Sequence, residues 1–328
     1  MPKNEGQDSR IAAIDIGSNG IRLVIASILG ERQIVPVKAL RARVRLGQDV
    51  FTEGRIKSRT AKRAAKAFQK FRKLLRKYRV TKYKAVATSA AREATNGKQF
   101  LDYIARNTGL RPKAIDGKEE ARLIFEAVSN HVDLRQEQAV LIDVGGGSIE
   151  LTIAVNGSMK AVRTLPLGTV RLLARSFQSD TAVRLKVQKF FERQEDALKS
   201  LLRRYLNARR PLLCVGTGGN MEALLKLRQT LLKKAPSPVV SRSELELIIN
   251  RLNKFDLQER IEILKLRPDR ADVIMPAALT VREIMNRLRA DRILVPCVGL
   301  KEGVLLDIAR EISAKRNPGR QILWSIYS

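Results

Sequence analysis

Short apolar runs alternate with amphipathic stretches along the whole chain. Residues 11–16 (Ile-Ala-Ala-Ile-Asp-Ile) form an apolar run that ends in Gly17-Ser18-Asn19-Gly20, and a second run, Ile21 to Ile28, follows at once. Two such runs joined by a tight turn predict a hairpin, and residues 34–46 supply a third strand. Over 57–79, Ala61, Ala64, Phe68, Phe71, Leu75 and Tyr78 recur every three or four positions, which predicts an amphipathic helix. A strand at 85–87, a loop Thr88-Ser89-Ala90-Ala91-Arg92 and helices near 97–107 and 118–130 follow. The pattern then restarts. Residues 139–144 are a strand, Gly145-Gly146-Gly147-Ser148 a turn and 149–155 the returning strand, with Asn156-Gly157 as a hairpin signal. The unit strand, Asp-x-Gly, strand therefore occurs twice, at 11–28 and 139–155, and each copy reads as the start of a domain. Further on, a helix spans about 181–207, capped by Ser179 or Asp180. A strand at 212–215 leads into Gly216-Thr217-Gly218-Gly219 and a helix. After a loop at 234–238, Ser243 with Glu246 and Asp256 with Glu259 have capping-box spacing. The last elements are a helix (272–288), a strand (292–296) and a helix (301–314).

The chain has 328 residues, of which 44% are hydrophobic. This suits two folded domains rather than one core or a disordered chain. Residues 1–10 lack the apolar stretch of a signal peptide, and no run has the length of a membrane span. The expected location is cytoplasmic, without a membrane span. Cys214 and Cys297 each follow a short apolar run and read as reduced core residues. The single histidine, His131, has no neighbours at metal-site or triad spacing and reads as a surface residue. Charge changes the picture most: 63 Lys+Arg against 33 Asp+Glu gives +30. Such a field attracts polyanions, whether nucleic acid, anionic membrane or polyphosphate.

The candidate chemistry sits in the turns. Glycines directly after a strand let the backbone approach a ligand and turn N–H groups toward an anion. Gly145, Gly146 and Gly147 do so with the Ser148 hydroxyl beside them. Asp143 and Glu150 flank this phosphate-binding turn, and two carboxylates beside a phosphate require a divalent cation, most simply Mg2+. Asp15, Gly17, Ser18 and Asn19 form a second version of the device, and Gly216-Thr217-Gly218-Gly219 a third glycine loop. The spacing of a P-loop is absent. Glu119 and Glu120 lie in a first helical turn, where acids ordinarily serve the helix dipole.

In order and spacing, several segments resemble the Ppx/GppA (exopolyphosphatase / guanosine pentaphosphate phosphohydrolase) family in its short form: Asp15-Ile-Gly-Ser-Asn19 with Arg22, Thr88-Ser-Ala-Ala-Arg92, Gly117-Lys-Glu-Glu120-Ala-Arg, Asp143-Val-Gly-Gly-Gly-Ser-Ile-Glu150, Leu165-Pro-Leu-Gly-Thr-Val-Arg171, Gly216-Thr-Gly-Gly219 and Gly299-Leu-Lys-Glu-Gly303. The resemblance implies an α/β fold of two ribonuclease-H-like lobes, as in the actin-like ATPase / sugar kinase / heat-shock chaperone superfamily, with the active site in the interlobe cleft. It implies an N-terminal lobe of residues 1–130, onto which 303–328 packs back, and a C-terminal lobe of 131–302. It makes Glu120 the catalytic group that orients or deprotonates the attacking water. It assigns metal to Asp143 and Glu150, and the phosphate chain to the Asp15–Asn19 loop, Arg22, Arg92, the Gly145–Ser148 turn, Arg171 and the Gly216–Gly219 loop. The chain departs from the family at Gly20, where Ser is usual, at Asn220, where Thr is common, and at Asp116, where Ser is frequent.

The implied activity is metal-dependent hydrolysis of the terminal phosphoanhydride of inorganic polyphosphate with release of orthophosphate. Two alternatives stay open: 5'-phosphohydrolysis of guanosine pentaphosphate (pppGpp), and non-catalytic binding of polyphosphate or RNA. The helix over 57–79 carries 11 Lys/Arg and no acid. Lys62, Arg63, Lys66, Lys70, Lys73, Arg76 and Lys77 on it read either as a solvated face or as a polyanion track. Nucleic acid is a further partner such a surface admits, and a homodimer is compatible with the reading.

Overall fold

The structure, a computed structural model, describes residues 9–30, 33–174, 179–316 and 325–326. The part of the 303–328 expectation beyond 316, apart from 325–326, lies outside the described residues. The chain forms two compact units, one of residues 1–131 with 298–328 and one of 132–297.

In chain order the first unit contains β1 (Ser9–Gly17), β2 (Gly20–Leu29), β3 (Gln33–Ala42), α1 (Leu46–Glu53), α2 (Ser58–Lys77), β4 (Lys82–Ala87), α3 (Ser89–Glu93), α4 (Gly97–Thr108), β5 (Lys113–Ala114) and α5 (Gly117–Ser129). The second contains β6 (Gln138–Val144), β7 (Ile149–Val155), β8 (Ser158–Leu165), α6 (Thr169–Leu173), α7 (Asp180–Tyr205), β9 (Leu212–Thr217), α8 (Gly218–Leu232), β10 (Val239–Ser241), α9 (Arg242–Leu252), α10 (Leu257–Glu262), α11 (Pro268–Ala271), α12 (Ile274–Leu288) and β11 (Arg292–Leu294). The chain then re-enters the first unit with α13 (Leu300–Arg316) and β12 (Ser325–Ile326).

The two sheets share one plan. The first runs β12-β3-β2-β1-β4-β5 and the second β10-β11-β9-β6-β7-β8. In each, three consecutive strands pair antiparallel, and the first of them pairs parallel with the strand that follows a helical crossover. This is the ribonuclease-H-like α/β plan, present twice. Central strands are buried on both faces, which is why β1 and β6 are continuous apolar runs rather than alternating ones.

Helix packing explains the other periodicities. On α2, Ala64, Ala67, Phe68, Phe71 and Leu75 are buried while the basic residues between them face out. On α13, Val304, Leu305, Leu306, Ile308 and Ala309 join Ile11, Val24 and Leu123 in one core. Burying each of its larger side chains is worth about 1.5–3 kcal/mol, so α13 is integral to the first unit. A Cβ on Gly303 would lie 2.0 Å from the Leu123 carbonyl oxygen, so glycine there lets α13 touch α5.

Several local expectations are revised. Residues 89–93 are helical, since Ser-Ala-Ala-Arg-Glu contains no helix breaker. The capping box of α9 uses Ser241 and Glu244 rather than Ser243 and Glu246. Both pairs have the required spacing, and the earlier one wins because β10 ends at Ser241 and the helix starts at once. The capping box of Asp256 and Glu259 forms, and Ser179 rather than Asp180 caps α7. Cys214 is buried, which pushes its thiol up to about 12, but Cys297 is exposed in the turn after β11, where its φ is positive. His131 sits just past α5 with Nδ1 3.0 Å from the Ala127 carbonyl oxygen.

Candidate active site

In the first unit, the β1–β2 turn is held by its neighbours. The Ser18 hydroxyl meets the Ser89 hydroxyl at 2.9 Å, and Gly47 N–H donates to the Ser18 carbonyl at 2.9 Å. Asp15 stands in direct register with Arg22, whose Nη1 is 3.5 Å from its Oδ2. Burial pushes the Asp15 carboxyl above its usual range, while Arg22, then Lys301 and Arg41, pull it back. Gly17, Ser18 and Asn19 lie in this turn, so the first predicted phosphate loop is a closed strand–turn–strand with cations beside it.

Glu120 occupies the first turn of α5. Asp116 caps that helix by accepting from Glu119 N–H at 2.7 Å, which accounts for Asp116 as a capping residue. The two glutamates then part ways. Glu119 accepts from Arg122 Nε and Nη2, each at 2.7 Å, and is spent on an ion pair. Glu120 is 6% exposed. Arg92 Nη1 lies 3.5 Å from its Oε2 and also donates to the Ile115 carbonyl at 2.8 Å. The Arg92 guanidinium thus stands beside a buried carboxylate and ties it to the end of β5 through the Ile115 carbonyl.

In the second unit, the β6–β7 turn is closed by Gly145 N–H donating to the Ser148 carbonyl at 3.0 Å. Asp143 and Glu150 are directly opposite each other on β6 and β7, with a carboxylate oxygen of each within 4.8 Å of the other. The Thr217 hydroxyl donates to Asp143 Oδ1 at 3.1 Å, and the Ser148 hydroxyl to Glu150 Oε1 at 2.6 Å. These bonds orient the two acids. Like charges opposite each other on neighbouring strands repel, and a bound divalent cation converts that repulsion into coordination. The donor set, carboxylates only, suits a hard oxygen-seeking ion.

The turn is also clamped from outside. Val170 and Arg171 N–H groups donate to the Gly146 carbonyl at 2.8 and 3.0 Å, Thr169 N–H to that of Gly145 at 3.1 Å, and Arg171 Nε to that of Gly147 at 2.7 Å. A Cβ on Gly168 would fall 2.2 Å from Gly147 N, so only glycine permits this approach. The Gly216–Gly219 loop joins β9 to α8. Gly218 has φ +79°, and a Cβ there would meet Asp143 Oδ1 at 2.4 Å.

The predicted residues thus assemble as local groups: Asp15 with Arg22, Ser18 with the α3 start, Arg92 with Glu120, and Asp143, Ser148, Glu150, Arg171 and Thr217 around the second turn. Lys62, Arg63, Lys66, Lys70, Lys73, Arg76 and Lys77 all lie exposed on α2. Sequence reasoning assigned no role to three contributors. Gly168 was visible only as part of a motif. Asn220 donates to the Val144 carbonyl at 2.6 Å and accepts from Arg270, so both residues brace the end of β6. Arg270 acts across 50 residues of sequence and left no local signal.

Residues 24–312 match the Ppx/GppA phosphatase family. The chain is 27% identical over 304 residues to Exopolyphosphatase 1 of Mycobacterium leprae (strain TN), covering 90% of this chain and 88% of that protein. It is 29% identical over 321 residues to Exopolyphosphatase 2 of Mycobacterium tuberculosis (strain ATCC 25618 / H37Rv), covering 92% and 99%. Among solved structures, an exopolyphosphatase from Cytophaga hutchinsonii superposes with a TM-score of 0.83 at 25% identity, covering 92% of this chain and 98% of that one. The Aquifex aeolicus Ppx/GppA family member gives 0.74 at 27% identity, covering 94% and 99%. With the match running through nearly the whole length, the chain belongs to the Ppx/GppA phosphatase family.

Proposed function

We propose that this chain is an exopolyphosphatase that hydrolyses the terminal phosphoanhydride of inorganic polyphosphate and releases orthophosphate. The observation that carries the reading is the Asp143–Glu150 pair, two oriented carboxylates facing each other beside a glycine turn. That arrangement is suited to a divalent cation and a phosphate together, and we assign Mg2+ to it. When bound, the cation would neutralise charge on the phosphate oxygens. The N–H groups of the Gly145–Ser148 turn, the Asp15–Asn19 loop with Arg22, Arg92, and the Gly216–Gly219 loop are assigned to hold the chain. Arg171 serves by tethering the Gly147 carbonyl.

In the reaction, Glu120 orients a water molecule and accepts its proton. The water oxygen bonds to the terminal phosphorus, the bridging P–O bond breaks, and the shortened chain departs with the electron pair of that bond. Phosphoryl transfer needs little covalent help, and positioning with charge neutralisation supplies most of the acceleration. The net charge of +30 favours a long polyanion over a nucleotide, which needs only a local basic pocket.

The test is phosphate release from long polyphosphate and from pppGpp, side by side, with Mg2+ and with excess chelator. Faster release from polyphosphate, abolished by chelator, is expected. Preference for pppGpp would transfer the assignment to that substrate. No release from either, with polyphosphate or RNA retained, would leave a binding protein.

A further inference from the structure

We propose that Arg41 is a second guanidinium ligand for the phosphate chain and that position 20 is glycine to admit it; this rests on the polyphosphate reading above. Asp15, Arg22 and Arg41 are in direct register across β1, β2 and β3. Residues opposite one another on neighbouring strands point to the same face. One carboxylate therefore lies beside two guanidiniums in a single row, and both lower the cost of its charge. Arg41 Nη2 donates to the Asn19 carbonyl at 3.2 Å, which sets the guanidinium against the β1–β2 turn. A Cβ on Gly20 would lie 3.1 Å from Arg41 Nη2, 3.2 Å from its Nε and 3.2 Å from the Ala42 carbonyl oxygen. Gly20 needs no unusual φ, so its want of a side chain serves space rather than backbone geometry.

Cross-strand side chains start about 5 Å apart. Two guanidiniums at that separation can each take a different phosphate of one chain, each as a charge-assisted pair. Arg22 and Arg41 thus favour an oligophosphate over a lone orthophosphate at this turn. Just past the end of β3, Arg63 Nη2 of α2 donates to the Arg43 carbonyl at 2.7 Å.

The experiment compares Arg41→Ala, Arg41→Lys, Gly20→Ala and the Gly20→Ala/Arg41→Ala double variant. Arg41→Ala is expected to raise KM for polyphosphate about ten- to a hundredfold. Its kcat and Tm should stay near those of the parent, since a contact away from the reacting phosphate binds ground and transition states alike. Gly20→Ala keeps the charge but displaces the guanidinium, so it should raise KM similarly. The double variant should be no worse than either single one, and Arg41→Lys should recover part of the loss. Competitive inhibition by orthophosphate should not move. An unchanged KM in Arg41→Ala with an active parent overturns the proposal alone. So does a fall in Tm that accounts for the loss, or additivity in the double variant. Polyphosphate affinity, measured by calorimetry in a Glu120→Gln background, separates the two readings. Weaker binding on adding Arg41→Ala supports the ligand even if the parent proves inactive, and equal binding overturns it.

Discussion

The segments beginning at Asp15 and Asp143 share the spacing Asp-x-Gly-x-x-x-Ile followed by a charged residue, and that last residue differs in sign: Arg22 in one, Glu150 in the other. Register puts each directly opposite its aspartate. The first pair carries its own cation, whereas the second must recruit one. Two single-residue consequences follow. Glu120 is buried beside Arg92, and Glu120→Gln keeps the shape and removes the base. Turnover should fall by about 10²–10⁴ while polyphosphate affinity is retained; a parallel loss of affinity, or full activity, would refute the assignment. Asp15 is the reverse case, a buried acid whose pKa in the folded chain is raised, chiefly by desolvation. A raised acid contributes its full stability below the unfolded value of 3.8, and loses it as pH climbs through the folded value. At neutral pH the ionised form therefore weighs against folding. Asp15→Asn should raise Tm near pH 7, with the gain vanishing in acid. A lower Tm at pH 7 would mean that the attraction to Arg22 outweighs burial.

At the scale of elements, α2 presents the sharpest contrast between its two sides. Phe68, Phe71 and Leu75 are buried, and Lys62, Lys66, Lys70, Lys73 and Lys77 recur along the exposed face at steps of three or four. If polyphosphate lies on this face, each phosphate contacted releases counterions and binding weakens steeply with salt. Replacing Lys66, Lys70 and Lys73 with Ala should raise KM for long polyphosphate and flatten its salt dependence, with little effect on pppGpp, which is too short to reach along the helix. Equal losses for both substrates, or none, would make the face merely solvated. The elements differ in how legible they were. Helix α2 and strands β1, β2, β6 and β7 have strong period and clear turns, so their residues announce them. Helix α6 is only Thr169–Leu173, and β5 and β10 are two and three residues long. Such short pieces exist because tertiary hydrogen bonds hold them, and no window of sequence contains those bonds. The same holds at the site. Motif spacing revealed Asp143, Ser148 and Glu150, but Arg41 reaches its place through strand register and Arg270 through packing.

At the scale of the whole molecule, no helix among the described residues is long and apolar enough to cross a membrane. The sheet plan repeats, and the repeat was readable because both copies open with the same strand–turn–strand. How the chain divides between the units was not legible in periodicity or turns; the expectation that 303–328 packs back on the N-terminal lobe came from the family resemblance alone. The second unit is continuous, residues 132–297, whereas the first is completed by residues from 298 onward. During synthesis, domains emerge and fold as units. Here the segment made first must wait. Ile11, Val24 and Leu123 share their core with Leu305, Leu306 and Ile308, which the ribosome adds nearly two hundred residues after Leu123. Until α13 arrives, that apolar surface is without its cover, and the second unit has all its residues before the first does. The nascent chain therefore carries an open hydrophobic face through more than half of its translation, which makes the early N-terminal segment the natural client of a chaperone.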